Sequence, residues 1–127
     1  MGKKIAQGVN RTILLVDDEA DILTIWKELL EIYGYTVITA ANGEEAIDKY
    51  STVDVGLVIL DIGMPGMGGL RCLEKLLFID ENAKVLMISG YASENHISRA
   101  LQSGAKAFLS KPYSNRNLLV AVEEMFE

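Results

Sequence analysis

From Thr12 onward the chain repeats one pattern five times: a short run rich in β-branched and aliphatic residues, followed by an amphipathic stretch at helical spacing. That alternation is the pattern of a parallel sheet covered by helices on both faces, an α/β doubly wound architecture. Strands are expected over 12–16, 36–40, 55–60, 84–88 and 107–110. The third is the most continuously apolar, as a central parallel strand should be, with Gly56 its only blemish. Between the strands, Ile22, Ile25, Trp26, Leu29, Leu30 and Tyr33 mark a first helix that Gly34 is placed to end in a left-handed turn. Asn42-Gly43 opens a second around Ala46, Ile47 and Tyr50, and Leu70, Leu73, Leu76 and Leu77 mark a third. Ser93 is the candidate cap of a fourth ending at Gly104. The last carries Leu118, Leu119, Val122, Met125 and Phe126 on one stripe, with Ser114 or Asn115 at its N-cap.

A chain of 127 residues has the size of one domain, and its composition, half hydrophobic and 24% charged, is enough to bury a core. Residues 1–11 read as a flexible lead-in or linker, because Gly2, Gln7, Gly8 and Asn10 interrupt any period; residues 12–127 form the domain. Eighteen acidic residues against twelve basic ones give a net charge of −6, which argues against nucleic acid or an anionic membrane surface as a direct partner. Cys72 is the single cysteine, so no internal disulfide or cysteine-based metal cluster is possible; a small buried hydrophobe in a cytoplasmic, reducing compartment is the default. No apolar run approaches the roughly 18 residues of a membrane span. Export and lipidation signals are not visible either.

The chemistry emerges at the strand exits, since in an open parallel sheet the ligand crevice lies outside the carboxyl ends of the strands. The first strand leads into Asp17 and Asp18, the third into Asp61, the fourth into Ser89 and the fifth into Lys111 and Pro112. Three carboxylates converging on one edge repel one another, and the usual resolutions are a shifted pKa or a bound hard cation with oxygen ligands. Mg²⁺ is the natural candidate, because Zn²⁺ would want His or Cys ligands that this edge lacks. A carboxylate beside a divalent cation, a lysine and a hydroxyl donor is equipped to attack phosphorus, and Asp61 is the best nucleophile candidate.

At these residues the chain resembles the receiver domains of two-component response regulators, over about residues 12–126. Val16-Asp17-Asp18-Glu19 is similar to the acidic pair after the first strand, and Leu60-Asp61-Ile62-Gly63-Met64-Pro65-Gly66-Met67 to the phosphoacceptor loop. Ser89-Gly90-Tyr91 is similar to the switch segment and Lys111-Pro112-Tyr113 to the final signature. The resemblance implies a flavodoxin-like sheet of order 2-1-3-4-5 and a non-enzymatic phosphoacceptor that assists its own phosphorylation and dephosphorylation. It implies that Asp61 accepts the phosphoryl group and that Asp18, Asp61 and the Gly63 carbonyl hold Mg²⁺, with Asp17 assisting through water. Lys111 would pair with a phosphoryl oxygen, Ser89 would hydrogen-bond the group, and Phe108 would change rotamer as the Ser89 loop moves. Pro112 would follow a cis peptide bond. The donor implied is a histidine kinase, in cis or in trans, with a histidine phosphotransfer protein or an effector as the downstream partner. The motif wording looks most like receivers fused to the C-terminal end of hybrid sensor histidine kinases, with a stand-alone regulator as the alternative.

Two positions depart from the commoner pattern: Met67-Gly68-Gly69 replaces Met-Asp-Gly, which removes a polar N-cap from the third helix, and Phe108 replaces tyrosine. Three rival readings are weaker. A flavin- or nucleotide-binding enzyme should carry a glycine-rich phosphate loop after the first strand, where this chain has Asp17-Asp18-Glu19. An aspartyl-nucleophile phosphohydrolase should have a second acid two residues after the nucleophile, where Gly63 stands. A pseudo-receiver serving only as a docking surface is opposed by intact Asp18, Asp61, Ser89 and Lys111. Trp26 reads as core packing, and His96 as an exposed helical residue with no chemistry.

Overall fold

The structure, a computed structural model, describes residues 10–64, 66–89, 94–110 and 115–126, with the backbone alone at 94–96. Five strands, β1 (Thr12–Val16), β2 (Thr36–Ala40), β3 (Leu57–Asp61), β4 (Val85–Ser89) and β5 (Ala107–Ser110), alternate with five helices. The helices are α1 (Ala20–Ile32), α2 (Gly43–Thr52), α3 (Gly69–Ile79), α4 (Glu94–Gln102) and α5 (Asn115–Met125). The strands pair in parallel in the order β2-β1-β3-β4-β5, the flavodoxin-like arrangement.

Each inner strand feeds two separate cores, because successive side chains point to opposite faces of a sheet. Ile13 and Leu15, Leu57 and Ile59, and Leu86 and Ile88 pack with Trp26 and Leu30 of α1 and Leu118 and Val122 of α5. The alternate residues, Leu14 and Val16, Val58 and Leu60, and Val85 and Met87, pack with Ala46 of α2, with Cys72, Leu73 and Leu76 of α3, and with Ala100 of α4. β3 and β4 are buried at every position, and each is an apolar run closed by one polar residue, Asp61 or Ser89.

The turns obey local chemistry. α1 ends in a Schellman turn: Gly34 adopts φ +94°, its N–H donates to the Glu31 carbonyl, and the Tyr35 N–H donates to the Leu30 carbonyl. Asn42 caps α2 by accepting from the Glu45 N–H at 2.8 Å, while the Glu45 carboxylate accepts from the Ala41 N–H at 2.9 Å. That hydrogen bond, with Lys49 one turn on, holds the Glu45 carboxyl below the usual carboxylate range. Asn115 is the first helical residue of α5 rather than its N-cap, and Ser93 and Ser114, the other expected caps, lie outside the described residues.

Two boundaries differ from the sequence expectation. The third strand runs over Leu57–Asp61 rather than 55–60, and the fourth over Val85–Ser89 rather than 84–88. Both extend one polar residue past the apolar run because the ladder continues there, with Asp61 opposite Ile88 and the Ile62 N–H donating to the Ile88 carbonyl at 2.8 Å. Gly56 stands just before β3, where a Cβ would lie 2.0 Å from the Asn10 carbonyl oxygen. Asn10 and Arg11, placed by sequence within the lead-in, are tied to the body of the domain. The Asn10 side chain donates to the Asp54 carbonyl and accepts from the Thr12 N–H, each at 2.9 Å. The Arg11 guanidinium lies over the Tyr35 ring, 4.2 Å from its centroid, and 5.8 Å from that of Phe126.

Candidate functional site

Parallel strands all end at one edge, so register decides which polar residues meet. Val16 pairs with Ala40 on one side and with Leu60 on the other, which brings the residue after it level with Asp61. Asp17 extends the ladder by one rung, its N–H donating to the Ala40 carbonyl at 3.1 Å. Its Oδ1 accepts from the Glu19 N–H at 2.9 Å, a short Asx turn that fixes the carboxylate and starts α1 together. Glu19 is the α1 N-cap and makes no capping bond with its own side chain. On the neighbouring strand end, Asp61 Oδ1 accepts from the Gly63 N–H at 3.1 Å.

The outcome is a tight acidic cluster. One carboxylate oxygen from each of Asp17, Asp18 and Asp61 lies within 4.8 Å of the others. Asp17 is fully buried and Asp61 only 6% exposed, while Asp18 faces solvent. Burial of two like charges beside a third is unfavourable unless a cation or proton compensates them. The donor set is all oxygen, in mixed burial, with an open side at Asp18; it fits a hard divalent cation that keeps several of its waters, as Mg²⁺ does.

Of the other expected site residues, Ser89 ends β4 with 3% exposure, one position past the Ile88 that pairs with Asp61. Its ladder partner is Ser110, the last residue of β5 and the one before Lys111. Phe108 is half-buried opposite Met87, on the α2–α3–α4 face of the sheet rather than at the acidic edge. Lys111, Pro112, Gly90, Tyr91 and the His96 side chain lie outside the described residues. The structure therefore gathers Asp17, Asp18 and Asp61, with Gly63 bonded to Asp61 and Ser89 on the adjoining strand end.

The sequence reading missed Gly69 as a positioning residue. A Cβ at Gly69 would lie 2.4 Å from both the Asp61 carbonyl oxygen and the Ile62 Cα, and the Gly69 N–H donates to the Ile62 carbonyl at 3.2 Å. The start of α3 thus rests directly on the backbone of the nucleophile candidate, a contact only a residue without a side chain allows. Its sequence signal was the Gly68-Gly69 doublet, read only as a lost cap. Cys72 is buried as expected, its Sγ 3.9 Å from the Gly43 carbonyl; burial pushes the thiol up to about 11.

Residues 13–123 match the family described as response regulator receiver domain. The chain belongs to that family. Receiver domains are signalling domains, and this receiver is 31% identical over 118 residues to the chemotaxis protein CheY of Thermotoga maritima, covering 92% of this chain and 98% of that protein. Among solved structures it resembles a CheY-like receiver domain protein from Methanospirillum hungatei, with TM-score 0.88, 36% identity, and coverage of 91% of this chain and 93% of that one. A second is the CheX–CheY–BeF3–Mg²⁺ complex from Borrelia burgdorferi, also with TM-score 0.88 and 36% identity, covering 94% and 92%. The receiver's acidic cluster lies at the carboxyl edge of the sheet, where an open parallel sheet binds its ligands.

Proposed function

We propose that this receiver is a phosphoacceptor of a two-component system, taking a phosphoryl group onto Asp61 from the phosphohistidine of a histidine kinase. The observation that carries the reading is the convergence of Asp17, Asp18 and Asp61 at the strand ends of a receiver-family chain. In the transfer, an Asp61 carboxylate oxygen forms the new O–P bond as the P–N bond to the donor imidazole breaks; the donor ring, protonated on its other nitrogen, keeps the bonding pair on the released nitrogen and leaves as neutral imidazole. Asp18, Asp61 and the Gly63 carbonyl are the residues that would hold Mg²⁺, with Asp17 acting through water. When bound, the ion offsets the negative charge of the carboxylates and of the transferring group. Asp17 is kept in place by the Glu19 N–H and Asp61 by the Gly63 N–H, so both carboxylates are oriented before a donor arrives.

Lys111 would pair with a phosphoryl oxygen and Ser89 would hydrogen-bond the group; movement of the Ser89 loop would then free Phe108 to repack. The same groups would assist the later attack of water on the acyl phosphate. The same reading makes residues 12–127 the receiver and 1–11 its lead-in, with Asn10 and Arg11 held against the domain, and places it in the cytoplasm. No helix among the described residues is long and apolar enough to cross a membrane. Matches to chemotaxis regulators over nearly their whole length support a CheY-like mode, in which the domain's own surface engages an effector. Placement behind a hybrid kinase, with transfer onward to a histidine phosphotransfer protein, rests on motif wording alone.

Intact mass after incubation with acetyl phosphate tests the assignment. One added phosphoryl group is expected with Mg²⁺, none with chelator, and none in Asp61→Asn, whose amide keeps the shape but is no nucleophile. Undiminished labelling of Asp61→Asn would remove Asp61 from its role, and absence of any adduct in the wild type would favour a docking module.

A further inference from the structure

Beyond the acidic edge, a groove of about 430 Å³ lies between the β3–α3 loop, α3 and α4. Ile62, Met67 and Leu70 give it apolar lining, and Arg71, Glu74 and Arg99 supply charge. Arg71 and Glu74 stand three apart on α3 and so share a face, while Arg99 comes from α4. The chain has four arginines and a net charge of −6, and two of the four line this one groove. Among the described residues the ion pairs are Lys27–Glu31 and Lys49–Glu45, and neither Arg71 nor Arg99 takes part in one.

From this we infer that the groove docks a peptide segment of a partner protein, one presenting acidic side chains to Arg71 and Arg99, a basic one to Glu74, and an aliphatic one to the apolar lining. Charge complementarity selects that occupant. Guanidinium groups suit carboxylates, which they grip through paired N–H donors. Glu74 and the acidic surface as a whole oppose a polyphosphate or nucleic acid. Paired acidic and basic groups around an aliphatic residue are the ordinary chemistry of an amphipathic peptide. The inference does not depend on phosphorylation, although the groove and Asp61 share a loop: Gly69, which lines the groove, rests on the Asp61 backbone.

The test is an amide chemical-shift titration of the ¹⁵N-labelled, unphosphorylated chain with the probe acetyl-Glu-Leu-Leu-Lys-Glu-amide. Shifts are expected at residues 62, 67–74 and 97–101, with binding weakened roughly tenfold or more in Arg71→Glu/Arg99→Glu and in the milder Arg71→Gln/Arg99→Gln pair. The charge-reversed peptide acetyl-Lys-Leu-Leu-Glu-Lys-amide should leave those amides unmoved. The proposal fails if the probe moves none of them, if both peptides act alike, or if the arginine pair is dispensable. It also fails if sodium phosphate alone reproduces the shifts, making the site one for a simple anion, or if dilution alone does, making it a self-association surface.

Discussion

A methyl group added at residue 69 would sit 2.4 Å from two backbone atoms, the Asp61 carbonyl oxygen and the Ile62 Cα, with no flexible side chain to give way. The loop itself would have to move. Gly69→Ala is therefore expected to lower stability by about 1–3 kcal/mol, the usual cost of overpacking, and to slow labelling by acetyl phosphate, because the displaced segment carries Asp61. Urea denaturation and a labelling time course check both, and a variant as stable and as quickly labelled as the wild type would show that the contact does not position Asp61. Residues of this kind escape sequence reasoning for a physical reason. Asp17, Asp18 and Asp61 announce themselves by charge and by their place after apolar runs, whereas a close approach between backbones seven residues apart leaves no mark but the missing side chain.

At the scale of elements, the five strands and five helices were legible because period-2 and period-3.6 patterns alternate without a long loop between them. Strand ends were less legible, since pairing carries on through Asp61 and Ser89 after hydrophobicity has stopped. The start of α3 was half legible. Gly68 leaves that helix without a side-chain cap, as expected, but it also adopts φ +80° and ψ 158°, a region essentially closed to residues with a Cβ. Restoring the commoner residue with Gly68→Asp adds a cap worth about 1 kcal/mol at a strain of about 1–3 kcal/mol. The strain is the larger, so a net loss of stability is the expected outcome, measured as a lower Tm. A rise in Tm would mean that the turn rebuilds at little expense.

For the whole molecule, the two edges of the sheet carry different work. At the amino edge, Arg11 lies against Tyr35 and Phe126, whose rings stack at 5.4 Å, and joins the start of β1 to the end of α5. Arg11→Ala should lower stability by about 1 kcal/mol and raise amide exchange at residues 122–126 while leaving Asp61 labelling intact; unchanged exchange there would mean the clip is idle. Stability should also fall in alkali. Burial raises the Cys72 thiol from an ordinary value near 9 to about 11, and raises the Tyr35 and Tyr50 phenols as well. A group raised in the folded state holds its proton more tightly there, so the Cys72 contribution is complete below about pH 9 and is lost as pH climbs through about 11, and the two phenols act in the same direction. Denaturant midpoints measured across that range check the sign, and a midpoint that rises with pH would contradict it. The clip at Arg11 has one more consequence, for modularity. Because it brings residue 11 beside residue 126, the body of the domain is entered and left at neighbouring points, away from the edge that carries the carboxylates. A unit built this way can be spliced into a surface loop of a host protein without prising the host's backbone apart, and its acidic edge would still face outward.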